Sequence, residues 1–185
     1  MKASIRRRYV LPNQIKIEHI EKPIPKDDEV QIKVKATTVN RTDCANLTAH
    51  PFIMRFVLGL IRPKKIILGT DFAGEVVAIG KDVKSFNIND RVFGFNDKGS
   101  ESQAEFMTIA EKDLYLIPKN INYHQAAASL EGAHYAYSFV RKVNIQPGQS
   151  ILINGATDRS LLYRPSCLLR ALYVQKIAKL LIIKI

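Results

Sequence analysis

The sequence predicts a mainly β fold, a small barrel with flanking helices, followed by the opening strand of an incomplete α/β unit. Three observations predict it. Short apolar stretches, several of them alternating with polar residues, recur through the first 117 positions and are punctuated by Gly and Pro. From residue 123 the period becomes helical, carried by Ala and aromatic side chains. A short apolar run at 150–154 then ends in Gly155-Ala156-Thr157, the strand-then-glycine pattern with which nucleotide-binding βαβ units begin.

Ile15 and Ile17 alternate with polar neighbours, and after the break at Pro23 and Pro25 so do Val30, Ile32 and Val34, which gives two strands. Residues 41–49 suit a short helix capped by Asn40 or Thr42. The apolar segment 52–61 spans about ten residues, too short for a bilayer, which needs ~20. It reads as a helix or lid beside a pocket, ended by Arg62-Pro63. Residues 69–95 carry strand residues such as Val76 and Ala78, with Gly69, Gly74 and Gly80 at bends or close approaches. Residues 106–109 and 114–117 read as two further strands, the second closed by Pro118. Many short strands with this punctuation argue for a small barrel. Two helical stretches, 123–130 and 132–143, lead to the turn Gln146-Pro147-Gly148.

From residue 158 onward the chain becomes Leu-, Ile-, Lys- and Arg-rich. Leu168, Leu169, Leu172, Ile177, Leu180 and Leu181 partly suit a helix, and residues 182–185 suit a strand. Only 28 residues follow Thr157, enough for one helix and one strand. This tail supplies +5 of the net charge of +11. The remaining lysines are dispersed and accompany no nucleic-acid motif, so a solvated basic surface is expected rather than DNA or RNA binding. Cys44 and Cys167 form no CxxC pair, which gives neither a disulfide framework nor a zinc ribbon and fits a reducing compartment. Cys44 reads as a small apolar helix residue. Arg6-Arg7-Arg8 is followed by mixed sequence, so no signal peptide is expected and the protein is placed in the cytoplasm.

Five ordered stretches carry a resemblance: Val39-Asn40-Arg41-Thr42-Asp43; Gly69-Thr70-Asp71-Phe72-Ala73-Gly74-Glu75-Val76; residues 80–83 with Asp90-Arg91-Val92; Ala104-Glu105-Phe106; and Gln146-Pro147-Gly148 leading into residues 153–157. Residues 1–157 resemble the medium-chain dehydrogenase/reductase superfamily. The resemblance implies a GroES-like barrel followed by a Rossmann domain, with substrate in the cleft between them. It divides the chain into a substrate-side domain (1–122), cleft helices with the first Rossmann strand (123–157), and an atypical basic, Leu-rich tail in place of the rest of the Rossmann domain (158–185). Zinc-dependent members carry a Cys in the first stretch and His-Glu after the glycine matched by Gly69. Here these positions hold Asn40, Thr70 and Asp71, and Asn and Thr are poor zinc ligands, so no metal is expected.

The resemblance is therefore to the zinc-independent quinone oxidoreductases. It implies NAD(P)H-dependent hydride transfer to a quinone or activated alkene, with NADPH as cofactor and a small quinone or enone as substrate. No nucleic-acid or membrane partner is implied, and a homodimer is left open. Asn40 matches a pocket asparagine beside the nicotinamide, where its amide could donate to a developing oxyanion; the alternative is a helix N-cap. His134 and Tyr135 lie in the helix that lines the family's cleft, where Tyr135 is either a cofactor contact or a packed aromatic. Gly155, Ala156 and Thr157 match the cofactor-binding turn.

Beyond Thr157 the family continues with a glycine, two small residues and another glycine. Here Asp158 and Leu161 stand at those positions. At about 4 Å and an effective dielectric of 20, each carboxylate–phosphate repulsion is ~4 kcal/mol before screening. NADPH is therefore expected to bind weakly or not at all, and the chain reads as a reductase impaired by an incomplete cofactor domain. A reading-frame change near Thr157 would explain this, because codons for residues 158–165 shifted by one base can spell Gly-Ser-Val-Ala-Ala-Ile-Gln-Ala. The competing reading is a non-catalytic GroES-like module for binding or oligomerisation.

Overall fold

The structure is a computed structural model that describes residues 1–96, 101–142, 150–154 and 180–184. The chain divides into two compact units, Met1–Ala128 and Ser129–Ile185. In the first unit, β1 (Lys2–Ile5) pairs with β2 (Lys16–His19) as an antiparallel ribbon. Five further strands form one antiparallel sheet: β3 (Glu29–Thr37), β4 (Asp71–Ile79), β5 (Arg91–Phe95), β6 (Phe106–Ala110) and β7 (Tyr115–Leu116), in the order β6-β3-β4-β5-β7. Two short helices, α1 (Arg41–Thr48) and α2 (Met54–Leu58), lie in the connection from β3 to β4. The fold class is the expected one, mainly β with flanking helices.

Side-chain alternation explains the sheet. Val30 and Ile32 of β3, Phe72 and Val76 of β4, Val92 of β5 and Met107 and Ile109 of β6 all bury into one cluster with Phe86 and Leu114. Full burial of such a side chain stabilises the fold by roughly 1.5–3 kcal/mol relative to exposure. Gln31 alternates with Val30 and Ile32 and is buried as well; β3 runs in unbroken register against β6 there, and the bulge between Gln31 and Ile32 in the β3–β4 pairing places Val77 of β4 as the extra residue. Gln31 is covered by the Pro23 segment, whose carbonyl accepts from Gln31 Nε2.

The β1–β2 ribbon is tied to the rest of the unit by bridges Ala3↔Ala104 and Ile5↔Ile67, with Ser4 N donating to Gln103 O at 2.9 Å. On the other side, Ala126 and Ala127 from the start of α3 (Tyr123–Lys142) pack with Ala73 and Ile117. Small alanines allow the helix to approach the sheet closely.

Four details differ from the sequence reading. β1 was not singled out, because four residues running into three arginines offer little periodicity. The two helical stretches form one helix, since Glu131 and Gly132 continue it; a mid-helix glycine costs only ~1 kcal/mol against alanine. α2 covers half of the apolar segment 52–61. Cys44 lies on α1 as expected but is exposed rather than packed.

In the second unit, β8 (Ser150–Asn154) forms as expected and pairs antiparallel with β9 (Leu180–Lys184). An opening Rossmann strand would instead have parallel neighbours. The readings placed on Gly155, Ala156, Thr157, Asp158, Leu161 and Cys167 lie outside the described residues. Among the described residues, no helix is long and apolar enough to cross a membrane.

Candidate functional site

β3 ends at Thr37 and β4 begins at Asp71, and the two ends are paired through Thr37↔Phe72. The register sets Thr38 and Asn40 beside Thr70 and Asp71. Asn40 is the N-cap of α1: its Oδ1 accepts from Asp43 N at 2.9 Å, and Asp43 Oδ2 accepts from Asn40 N at 3.1 Å. This reciprocal box satisfies two donors of the first turn. Asp43 Oδ1 also accepts from Gly69 N at 3.0 Å, which fixes the residue before Thr70. Gly69 has φ +110°, and a Cβ there would run into Ser102 Oγ and Ser102 N. Only glycine suits that position.

The other face of the Asn40 amide is engaged as well. Asn40 Nδ2 donates to Thr70 Oγ1 at 2.6 Å and lies 3.4 Å from Asp71 Oδ2, which accepts from Thr38 Oγ1 at 2.7 Å. Ser102 Oγ and Thr37 Oγ1 are 2.8 Å apart, and each bonds to the carbonyl of Asp71 at 2.8 Å. Thr70 and Ser102 are fully buried, and Asp43 and Asp71 are 2% exposed, so this network lies almost out of water. Asn40 itself is half-buried, at the edge of the network. Thr37 and Ser102 also line a shallow groove of about 350 Å³ with Val34, Lys35 and Glu105.

Of the two roles left open for Asn40, the N-cap is present, and the amide donates at the same time. Its donor is directed to Thr70. The set does not suit zinc, because Nδ2 is an amide donor and Thr70 Oγ1 accepts from it. Among the described residues, no three His, Cys, Asp or Glu side chains converge as metal ligands.

Tyr135 is 37% exposed on α3, in edge contact with His134 at 5.6 Å between ring centroids. Sequence reading overlooked Thr37, Thr38, Asp43 and Ser102. The Asn-x-x-Asp spacing at 40–43 could have revealed Asp43 as a capping partner; nothing local marks Ser102, which arrives from a distant loop.

A second polar cluster fixes the start of α3. Tyr123 Oη donates to Glu75 Oε1 at 2.9 Å, and Lys35 Nζ lies 3.0 Å from Glu75 Oε2. Hydrogen bonds from Lys35 and then Tyr123 hold the Glu75 carboxyl below its ordinary range. Burial, and next the hydrogen bond to Glu75, raise the Tyr123 phenol.

Residues 26–147 match the model of the alcohol dehydrogenase GroES-like domain. The chain belongs to that family. It is thereby a member of the medium-chain dehydrogenase/reductase superfamily. The GroES-like chain is 33% identical over 138 residues to the quinone oxidoreductase of Sus scrofa, covering 73% of this chain and 39% of that one. It is 32% identical over 167 residues to the 2-methylene-furan-3-one reductase of Solanum lycopersicum, covering 84% and 40%. It superposes on the Escherichia coli quinone oxidoreductase complexed with NADPH with a TM-score of 0.67 at 22% identity, over 80% of this chain and 43% of that one. The GroES-like chain thus spans about two fifths of the length of the curated relatives it matches.

Proposed function

We propose that the chain is the substrate-side part of a zinc-independent NAD(P)H oxidoreductase of the quinone reductase or enoyl reductase type. The observation that carries this reading is the 2.6 Å hydrogen bond from Asn40 Nδ2 to Thr70 Oγ1. It joins two positions where zinc-dependent relatives hold the metal, and it replaces ligands with a directional hydrogen-bond network. The two sequence relatives, a quinone oxidoreductase and an enone reductase by name, point to the acceptor class.

A nicotinamide, when bound, would supply the hydride. The chain's own contribution is then orientation and exclusion of water. Asn40, with both ends of its amide engaged, would present a fixed edge to the nicotinamide. Tyr135 would flank the cofactor, and Gly155, Ala156 and Thr157 would face its phosphates. The Asp71 carboxylate stays within the network as a hydrogen-bond acceptor for Thr38, positioning Thr70 and Asn40 instead of binding metal. The hydride so supplied would add to the β-carbon of an enone, and the enolate would take its proton from solvent once the product is released.

Direct hydride transfer tests the reading. The protein is incubated with C4-deuterated NADPH and either a quinone or an α,β-unsaturated ketone. Because the cofactor turn carries Asp158, the expected results are slow, quinone-dependent oxidation of NADPH that does not saturate at micromolar cofactor, and deuterium on the β-carbon of the reduced ketone. Zinc-dependent alcohol oxidation would overturn it. Self-association with neither turnover nor NADPH binding would favour the non-catalytic module.

A further inference from the structure

A second candidate site lies away from the Asn40 network, in the first unit. Arg8, Tyr9, Arg55, Ile61 and Arg62 line a pocket of about 310 Å³. Three chain segments are held together to form it. The bridge Ile5↔Ile67 and the bond from Arg6 N to Ile66 O at 2.8 Å set residues 6–9 against the end of the α2 loop. The Tyr9 hydroxyl donates to the carbonyl of Gly59. Gly59, at φ +122°, turns the chain back so tightly that a Cβ would meet the Arg62 carbonyl, and this returns Arg62 to the side of Arg55. The Arg55 guanidinium lies over the Tyr9 ring at 4.9 Å, and that of Arg6 at 5.5 Å.

The charge in this pocket is one-sided. Among the described residues, no carboxylate pairs with Arg8, Arg55 or Arg62; the nearby acid Glu18 pairs with Arg7. Arg55 Nε is out of water with no protein acceptor. Three arginines lining one small volume suit an anion with several oxygens and more than one charge, better than a single carboxylate. Exposed Ile61 lines the pocket and exposed Phe52 lies 5.3 Å from the Arg55 guanidinium, so the body of such a ligand would meet apolar surface.

We propose that this pocket binds a phosphate group, free or esterified to an apolar body. The site is independent of the hydride-transfer reading, and its test uses no nicotinamide. Arg8 and Arg62 are exposed, so replacing them leaves the core intact. Isothermal titration with inorganic pyrophosphate and flotation with phosphatidic acid/phosphatidylcholine vesicles are run on the wild type, R8Q/R62Q, R8K/R62K and the remote pair K112Q/K119Q. The proposal expects saturable binding that R8Q/R62Q weakens at least tenfold and R8K/R62K at least threefold, with the remote pair within twofold of wild type. The Lys pair keeps the charge and loses the fork, so its deficit separates a built site from diffuse attraction. Arg-dependent binding of pyrophosphate assigns a soluble phosphate; Arg-dependent binding of vesicles alone assigns a lipid headgroup. No binding of either probe, equal weakening by the remote pair, or wild-type affinity in R8Q/R62Q would overturn it.

Discussion

Replacing Asn40 with alanine or with aspartate separates its two roles. Alanine removes the cap on Asp43 N, which costs ~1 kcal/mol. It also removes the donor to buried Thr70, for roughly another 1 kcal/mol. N40A should therefore unfold with about 2 kcal/mol less stability in urea at pH 7, followed by circular dichroism. Aspartate caps as well as asparagine, so a cap-only role predicts an N40D near wild type. In the network, N40D exchanges the donor for a carboxylate 3.4 Å from Asp71 Oδ2. Two such charges repel by ~5 kcal/mol at an effective dielectric of 20, a ceiling that protonation relieves. N40D should thus be less stable than N40A at pH 7. The introduced carboxyl has a raised folded pKa, so its stability falls as pH rises through that value, and the deficit should shrink toward pH 5. An N40D as stable as wild type at pH 7 would refute the network argument.

Four further outcomes follow. G69A should destabilise by ~3 kcal/mol or more, measured by thermal or urea melting, because it meets both a positive φ and Ser102. Y123F should cost ~1 kcal/mol or less, as the bond to half-exposed Glu75 is lost while the ring and its Arg91 contact remain. The depressed Glu75 carboxyl contributes stability above its unfolded pKa that is lost as pH falls through the lower folded value, so between pH 5 and 3 wild type should lose more stability than E75Q. D158G should bind NADPH more tightly than wild type in a fluorescence titration, since it removes a carboxylate from the position matched to the pyrophosphate turn; equal affinities would remove that reading of Asp158.

How far the fold and site could be read from residues depended on range. β3 and β4 were legible because Val30, Ile32, Phe72 and Val76 face one core and the strands are long. α1 was legible because Asn40 is a local capping signal. β1 was not, since its partners are residues 16–19, 67 and 104, and no local period announces them. The network was half legible. Asn40, Thr70 and Asp71 stood out together by matching the zinc positions of relatives. The hydroxyls that lock them, on Thr38, Thr37 and Ser102, come from strand ends and a loop that only the β3–β4 register brings together. The arginine pocket escaped for the same reason: Arg8 was read as part of a basic run and Arg55 as part of an apolar segment, and the turn at Gly59 unites them.

A hydrogen-bonded Asn40–Thr70–Asp71 set stands where metal-dependent relatives bind zinc. Elemental analysis of untagged protein, after incubation with zinc and dialysis, tests it most directly. The network predicts zinc well below one equivalent, unchanged in D71N. One equivalent that resists dialysis in wild type and is lost in D71N would contradict it.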